Sequence, residues 1–225
     1  MSASENDTPR SAWTRLATAA LGRVHGKAVH SRRVRVLAKW FSTLLPEGHA
    51  VLDVGCGDGI IDSLVLAQRP DVTIQGVDVL VRPQARIAVT PFQGSRLPFS
   101  DGAFDTVLFS DVLHHTETPD VLLKDAVRVA RHGVLIKDHV VQGVFARSTL
   151  KWMDYVGNAP HGVSLPYRYL EQNQWDELFR ECGIVPRVVV RRLGLYPRWA
   201  DPWFGRSLHF VGFFDIVRVS TQRNA

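Results

Sequence analysis

Val51-Leu52-Asp53-Val54-Gly55-Cys56-Gly57-Asp58-Gly59 runs from an apolar stretch straight into three glycines at alternate positions. A short apolar run that ends in a glycine cluster reads as a buried strand, here Ala50 to Val54. Ile60 to Gln68 then reads as a helix, stopped by Arg69-Pro70. Glycine is needed where the chain turns tightly and where a ligand must approach the backbone. In doubly wound sheets, ligands bind at the carboxyl ends of the strands beside such a loop. The spacing also separates two chemistries. A dinucleotide fingerprint, GxGxxG, needs a small residue three places after its second glycine. Ile60 stands there, and the third glycine comes one residue early. A hydride-transfer enzyme is therefore disfavoured.

Outward from the loop, strand and helix patterns alternate. Thr73 to Val77 reads as a second strand, and Pro83 shortens the crossover that follows. Arg86 to Phe92 is a weak third strand and Phe104 to Ser110 a fourth. Thr118 suits a helix N-cap with Pro119 at the first position, and that helix runs to about Ala130. Gly133 to Lys137 reads as a fifth strand; Val185 to Leu193 and Leu208 to Val217 read as the last two. Between them, residues 144–182 are mostly helical, interrupted by an aromatic, glycine- and proline-containing stretch from Tyr155 to Tyr169. Upstream, Ser11 to Leu45 reads as a helical arm, with Leu37, Trp40, Phe41 and Leu44 forming one apolar stripe. Residues 1–10 are polar and read as a disordered tail. The expected division is tail, arm at 11–45, and one domain at 46–225 with an insertion at about 144–182. Such alternation predicts an α/β fold with a mostly parallel sheet covered on both faces.

The GxGxG form, with Asp53 two residues before Gly55, resembles motif I of the class I S-adenosylmethionine-dependent methyltransferases. The likeness continues in order. Leu97-Pro98-Phe99 through Asp101-Gly102-Ala103-Phe104-Asp105 is similar to the LPF…DGxFD stretch of the small-molecule, type 11 branch. Ser110-Asp111-Val112-Leu113-His114-His115 follows where that branch places it. Arg128-Val129 through Gly133 resembles its RvLkpGG segment, with one glycine and the proline missing. The match covers roughly residues 48–140. It implies a doubly wound, Rossmann-like, seven-stranded, mostly parallel sheet with the last strand antiparallel.

The resemblance also implies S-adenosyl-L-methionine as cofactor, held by Asp53, Gly55, Cys56, Gly57 and Gly59. Asp78, the next acidic residue at a strand end, is expected on the ribose hydroxyls, with Val79 beside it. Gln93 stands where the family usually has an acidic residue near the adenine, and an amide can still accept a hydrogen bond there. Gly94, Ser95, Ser110, Asp111 and His115 complete the expected cofactor contacts. Methyl transfer needs an acceptor atom held in line and, where that atom carries a proton, a base. Candidate catalytic residues are His139, which follows Asp138 at a strand end, and His161 and Tyr155 in the insertion. His115 is another candidate by position, with a packing or cofactor-facing role favoured. A metal cluster of Asp111, His114, His115 and Asp138 is disfavoured, because adjacent histidines do not easily reach one ion.

Composition bounds the rest. The chain has 225 residues, 45% hydrophobic and 22% charged, as expected of an ordinary globular domain. Two unlike cysteines, Cys56 and Cys182, form neither a disulfide framework nor a zinc pattern, which points to a reducing, cytoplasmic setting. No apolar run is long enough for a membrane span. The net charge is +5, and Arg15, Arg23, Lys27, Arg32, Arg33, Arg35 and Lys39 follow one another without an acidic residue between them. That arm leaves contact with an anionic substrate, a nucleic acid or a lipid headgroup open. A small-molecule acceptor is the favoured partner. Methylation of nucleic acid or protein is the alternative, although base amino-group chemistry lacks its Asp-Pro-Pro-Tyr motif and cytosine chemistry its Pro-Cys. A non-catalytic cofactor-binding protein is the second alternative. Oligomeric state is not legible.

Overall fold

Val51, Leu52 and Val54 are almost wholly buried, and the strand they form, Ala50–Val54 (β1), lies near the middle of a seven-stranded sheet. The computed structural model describes residues 30–158, 168–205 and 207–218. The expected tail, the start of the helical arm and His161 lie outside them.

A helix over residues 30–44 (α1) precedes β1. The order then runs α2 (Ile60–Gln68), β2 (Thr73–Asp78), β3 (Val89–Pro91), β4 (Phe104–Ser110), α3 (Pro119–Val129) and β5 (Ala130–His139). It continues with α4 (Ala146–Asn158), α5 (Gln172–Glu181), β6 (Ile184–Val190), α6 (Asp201–Phe204) and β7 (His209–Ile216). In space the strands lie β3-β2-β1-β4-β5-β7-β6. Pairings among β1 to β5 are parallel, and β7 runs antiparallel to both β5 and β6. This is the expected sheet with its last strand reversed.

The two faces follow from the period of two along each strand. Leu52, Val54, Val107, Phe109, Val134 and Ile136 point to one side, against Leu122, Leu123 and Ala126 of α3 and Trp175 and Phe179 of α5. Val51, Leu108, Leu135 and Phe213 point to the other, against Leu37 and Phe41 of α1 and Val65 of α2. Burying each such side chain stabilises by about 1.5–3 kcal/mol. Gly133 is required for a packing reason: a Cβ there would stand 2.5 Å from the Phe214 carbonyl oxygen. Arg128 ties α3 to the loop before β4, donating to Asp125, Asp101 and the carbonyls of Leu97 and Phe99.

Several details differ from the sequence reading; the third strand, read as Arg86 to Phe92, is confined to Val89–Pro91, and the sixth, read to Leu193, ends at Val190. Thr118 sits at the N-cap of α3 but its side chain makes no capping hydrogen bond, so Pro119 alone marks the start. β5 begins at Ala130, directly after α3: Ala130 pairs with Phe104, and the register then shifts across the exposed Arg131 and His132 before Gly133 pairs with Thr106. Tyr155 to Asn158 continue α4, so the interruption starts later than the aromatic residues suggested.

Candidate active site

The turn between β1 and α2 is built on left-handed glycines. Gly55, Gly57 and Gly59 have φ of 75°, 62° and 67°. Their surroundings differ. A Cβ on Gly55 would meet Val112, and one on Gly59 would meet Ile87, at 2.6 and 2.7 Å. A Cβ on Gly57 would meet no protein atom within 4 Å. The outer glycines let the loop pack, and the middle one leaves the backbone open for a ligand.

The Gly57 N–H donates to Asp78 Oδ2 at 2.8 Å, and the Leu80 N–H donates to Asp78 Oδ1 at 2.9 Å. The carboxylate at the end of β2 is thereby fixed beside the loop. Val79 is exposed, and its Cγ1 lies 3.6 Å from the place a Cβ would occupy on Gly94. Gln93 and Ser95 are exposed at the same edge. The Cys56 sulfur packs onto Gly76, and burial with the nearby Asp53 carboxylate pushes its thiol pKa up, which keeps it neutral.

Asp53 lies buried under the loop against Asp62 of α2. Among the described residues, neither oxygen of Asp62, nor Oδ1 of Asp53, has a conventional donor. Burial raises both pKa values, that of Asp62 to about 6, so the two carboxyls share a proton rather than both ionise.

The ends of β4 and β5 carry a second cluster. Asp111, with φ 61°, takes Arg33 Nη2 at 2.5 Å on Oδ2 and the buried Lys137 ammonium on Oδ1. Sequence reading placed Asp111 with the cofactor-holding residues and missed these two partners. Asp138 accepts from His114 Nδ1 at 2.6 Å, Leu113 N at 3.1 Å and His139 N at 2.6 Å. Although burial alone would raise its pKa, the interactions with His114 and His139 hold it well below the usual carboxylate range. His139 is 2% exposed, with Nδ1 3.5 Å from Asp111 Oδ1 and 3.6 Å from Asp138 Oδ1. Burial lowers its pKa to about 4, and the Lys137 charge acts in the same direction. Trp175 Nε1 donates to its carbonyl, and His209 and Tyr169 pack on the ring. The His115 ring lies tilted at 45° against His114, with centroids 3.9 Å apart, and is half-buried.

Donor atoms of Asp111, His114, Asp138 and His139 all lie within 4.8 Å of one another. Both carboxylates are already engaged, Asp111 by two cationic side chains, so a divalent ion there would meet Lys137 at close range. Of the expected catalytic residues, the structure thus brings His139 into this cluster, puts Tyr155 on α4 and does not describe His161. His114, Lys137, Arg33 and His209 were missed as partners. The only signal for Lys137 was a charged residue within an apolar strand.

A parallel sheet with a reversed seventh strand, a glycine turn after β1 and a carboxylate at the end of β2 define a class I, Rossmann-like methyltransferase. A family model described as "Methyltransferase domain" matches residues 29–184, and the chain belongs to that family of S-adenosylmethionine-dependent enzymes. It is similar to methyltransferase GfsG of Streptomyces halstedii, 27% identical over 140 residues, half of each chain. It is also similar to ajmaline N-methyltransferase of Rauvolfia serpentina, 31% identical over 106 residues, 40% of this chain and 36% of that one. The chain spans about half the length of the curated relatives it matches. Among solved structures it shares its fold with the 1,6-didemethyltoxoflavin-N1-methyltransferase of Burkholderia thailandensis, which holds its substrate and S-adenosylhomocysteine. That likeness has a TM-score of 0.59 at 19% identity, over 95% of this chain and 92% of the other. The methyltransferase in complex with the Trm112 activator of Haloferax volcanii gives 0.63 at 15% identity, over 90% and 97%. No helix among the described residues is long and apolar enough to cross a membrane.

Proposed function

We propose that this chain binds S-adenosylmethionine against the glycine loop and transfers its methyl group in line to a small-molecule acceptor. The observation that carries the reading is the open backbone at Gly57, fixed by its hydrogen bond to Asp78. Those residues fit the group: Asp78 keeps lone pairs for two ribose hydroxyls, and Val79 and Gly94 offer a flat apolar edge for a base. Gln93 and Ser95 supply polar atoms at that edge. Asp53, Gly55, Cys56 and Gly59 shape the floor, and Ser110, Asp111 and His115 line the end of β4. When bound, S-adenosylmethionine supplies a methyl group on a positively charged sulfur, already electrophilic.

The protein's remaining task is to orient the acceptor, exclude water and take a proton where the acceptor carries one. His139 is neutral at physiological pH. A proton reaching its ring would be shared toward Asp111 and Asp138. Tyr155 and His161 would meet the acceptor from the insertion at 144–182. The small-molecule class is supported by the LPF…DGxFD segment and by relatives whose names carry small acceptors.

Calorimetry with S-adenosylmethionine and S-adenosylhomocysteine tests the site, and a small-molecule screen with labelled methyl tests the reaction. Binding and label transfer are expected. Failure of both nucleosides to bind overturns the reading. Binding with label passed only to nucleic acid or protein overturns the acceptor class.

A further inference from the structure

Past the end of β6 the chain turns under α1 and makes a basic hollow with it. Arg32 of α1, Arg192 and Arg198 line a cavity of about 750 Å³ with Gly194, Tyr196 and a single carboxylate, Asp201. Arg32 ties the two segments together, its Nε and Nη2 donating to the Gly194 carbonyl at 3.3 and 3.1 Å. Gly194 is left-handed, with φ 69°, and a Cβ there would meet nothing within 4 Å. Its backbone is bare where it borders the cavity. Tyr196 gives the hollow a buried wall, its ring packed on Phe204 and His209 with centroids 5.7 Å away in each case.

Three arginines against one aspartate leave a formal charge of +2 on the lining. Among the described residues, none of these four side chains is in an ion pair. Elsewhere Arg33, Arg69, Arg128 and Arg187 each pair with an aspartate. Like charges gathered around one cavity repel, and a bound anion removes that cost. The guanidinium group stays charged throughout the physiological range, and its planar fork matches the oxygens of a phosphate. The excess of two charges suits a doubly charged phosphate monoester better than a single carboxylate. The cavity has the size of a small-molecule site. A nucleic-acid backbone needs cations spread along a track, whereas these meet around one space.

We propose that the hollow of Arg32, Arg192 and Arg198 binds the phosphate group of a small phosphorylated molecule, at a site that shares no lining residue with the glycine loop.

The test is calorimetry of the full chain with inorganic phosphate and with glycerol phosphate, acetate serving as the singly charged control. Saturable binding of both phosphates is expected, at least about tenfold tighter than acetate, since one hydrogen bond to a charged group is worth about that factor or more. Arg192→Glu with Arg198→Glu should weaken phosphate binding by about a hundredfold or more, a factor of ten for each guanidinium lost. Arg192→Lys with Arg198→Lys keeps the charge without the fork and should lose less. Arg192 and Arg198 are exposed, so both double variants should fold like the parent and keep its S-adenosylhomocysteine affinity. Phosphate binding is read independently of the nucleoside, so failure at one site is distinct from failure at the other. No binding of either phosphate, acetate bound as tightly as phosphate, or charge-reversed protein that binds phosphate like the parent overturns the proposal. So does binding only to phosphatidic acid vesicles, or only to an oligonucleotide, which would assign these cations to a larger partner.

Discussion

Arg33, in the first described turn of α1, places Nη2 2.5 Å from Oδ2 of Asp111 at the end of β4. The same carboxylate holds the fully buried Lys137 ammonium. One side chain thus joins the helical arm to the two strands that frame the candidate active site. Asp111→Ala would remove the shared partner of Arg33 and the buried Lys137, and should destabilise by about 3–5 kcal/mol in urea unfolding. Arg33→Ala should cost clearly less, because Lys137 still satisfies Asp111. Equal, small losses for both would mean the cluster is not a unit.

Asp78 fixes the loop and is proposed to hold the ribose. Asp78→Ala should weaken S-adenosylhomocysteine binding by about 1.5–3 kcal/mol, the range of hydrogen bonds to a charged group. Asp78→Asn keeps an acceptor for the Gly57 N–H and should fall between. Calorimetric affinities equal to the parent's would remove Asp78 from the site.

Gly57 and Gly48 both have positive φ, and a Cβ on either would meet nothing within 4 Å. Alanine at each should therefore cost similar stability, about 1 kcal/mol from left-handed strain. Only Gly57→Ala should lose nucleoside binding, since only there would the methyl group occupy ligand space. Normal binding by a folded Gly57→Ala protein would show that the ligand lies elsewhere.

The Asp53–Asp62 pair predicts a pH dependence opposite to the usual one. Asp62 has its folded pKa raised to about 6 from 3.8. The folded state therefore holds more protons between those values, and stability is lost as pH rises through them. Asp62→Asn, which can donate to Asp53, should raise stability at pH 8 by about 1–2 kcal/mol. The gain should vanish near pH 4. Thermal melts across pH measure this, and a variant less stable at every pH would contradict the shared-proton picture.

The histidine cluster acts in the other direction. His139 has its folded pKa lowered from 6.5 to about 4. Below pH 6.5 the unfolded chain gains protons the folded one does not, so this contribution is lost as pH falls toward 4. Turnover that uses neutral His139 should stay level from pH 8 to about 5 and then decline. Replacing His139 and His161 together should lower kcat by about 10²–10⁴-fold if either takes the proton. Unchanged turnover at saturating cofactor would exclude both.

The glycine turn and the elements next to it were legible in the chain itself. β1, α2 and β4 begin and end where the apolar runs and their stop signals put them, because strand burial and glycine conformation are local matters. The reversed seventh strand was reachable only through resemblance, since nothing in the residues of β7 records the direction of its neighbours.

Local sequence therefore determined that a left-handed glycine turn follows the first core strand, and which carboxylate stands at the next strand end. Only the tertiary structure decided what surrounds His139. Strand register sets His139 opposite His209, β4 and its following turn bring Asp111 and His114, and α1 brings Arg33 from 106 residues upstream in the chain. Burial and charge at that point are sums over partners distant in sequence, so no pattern of neighbouring residues could specify them.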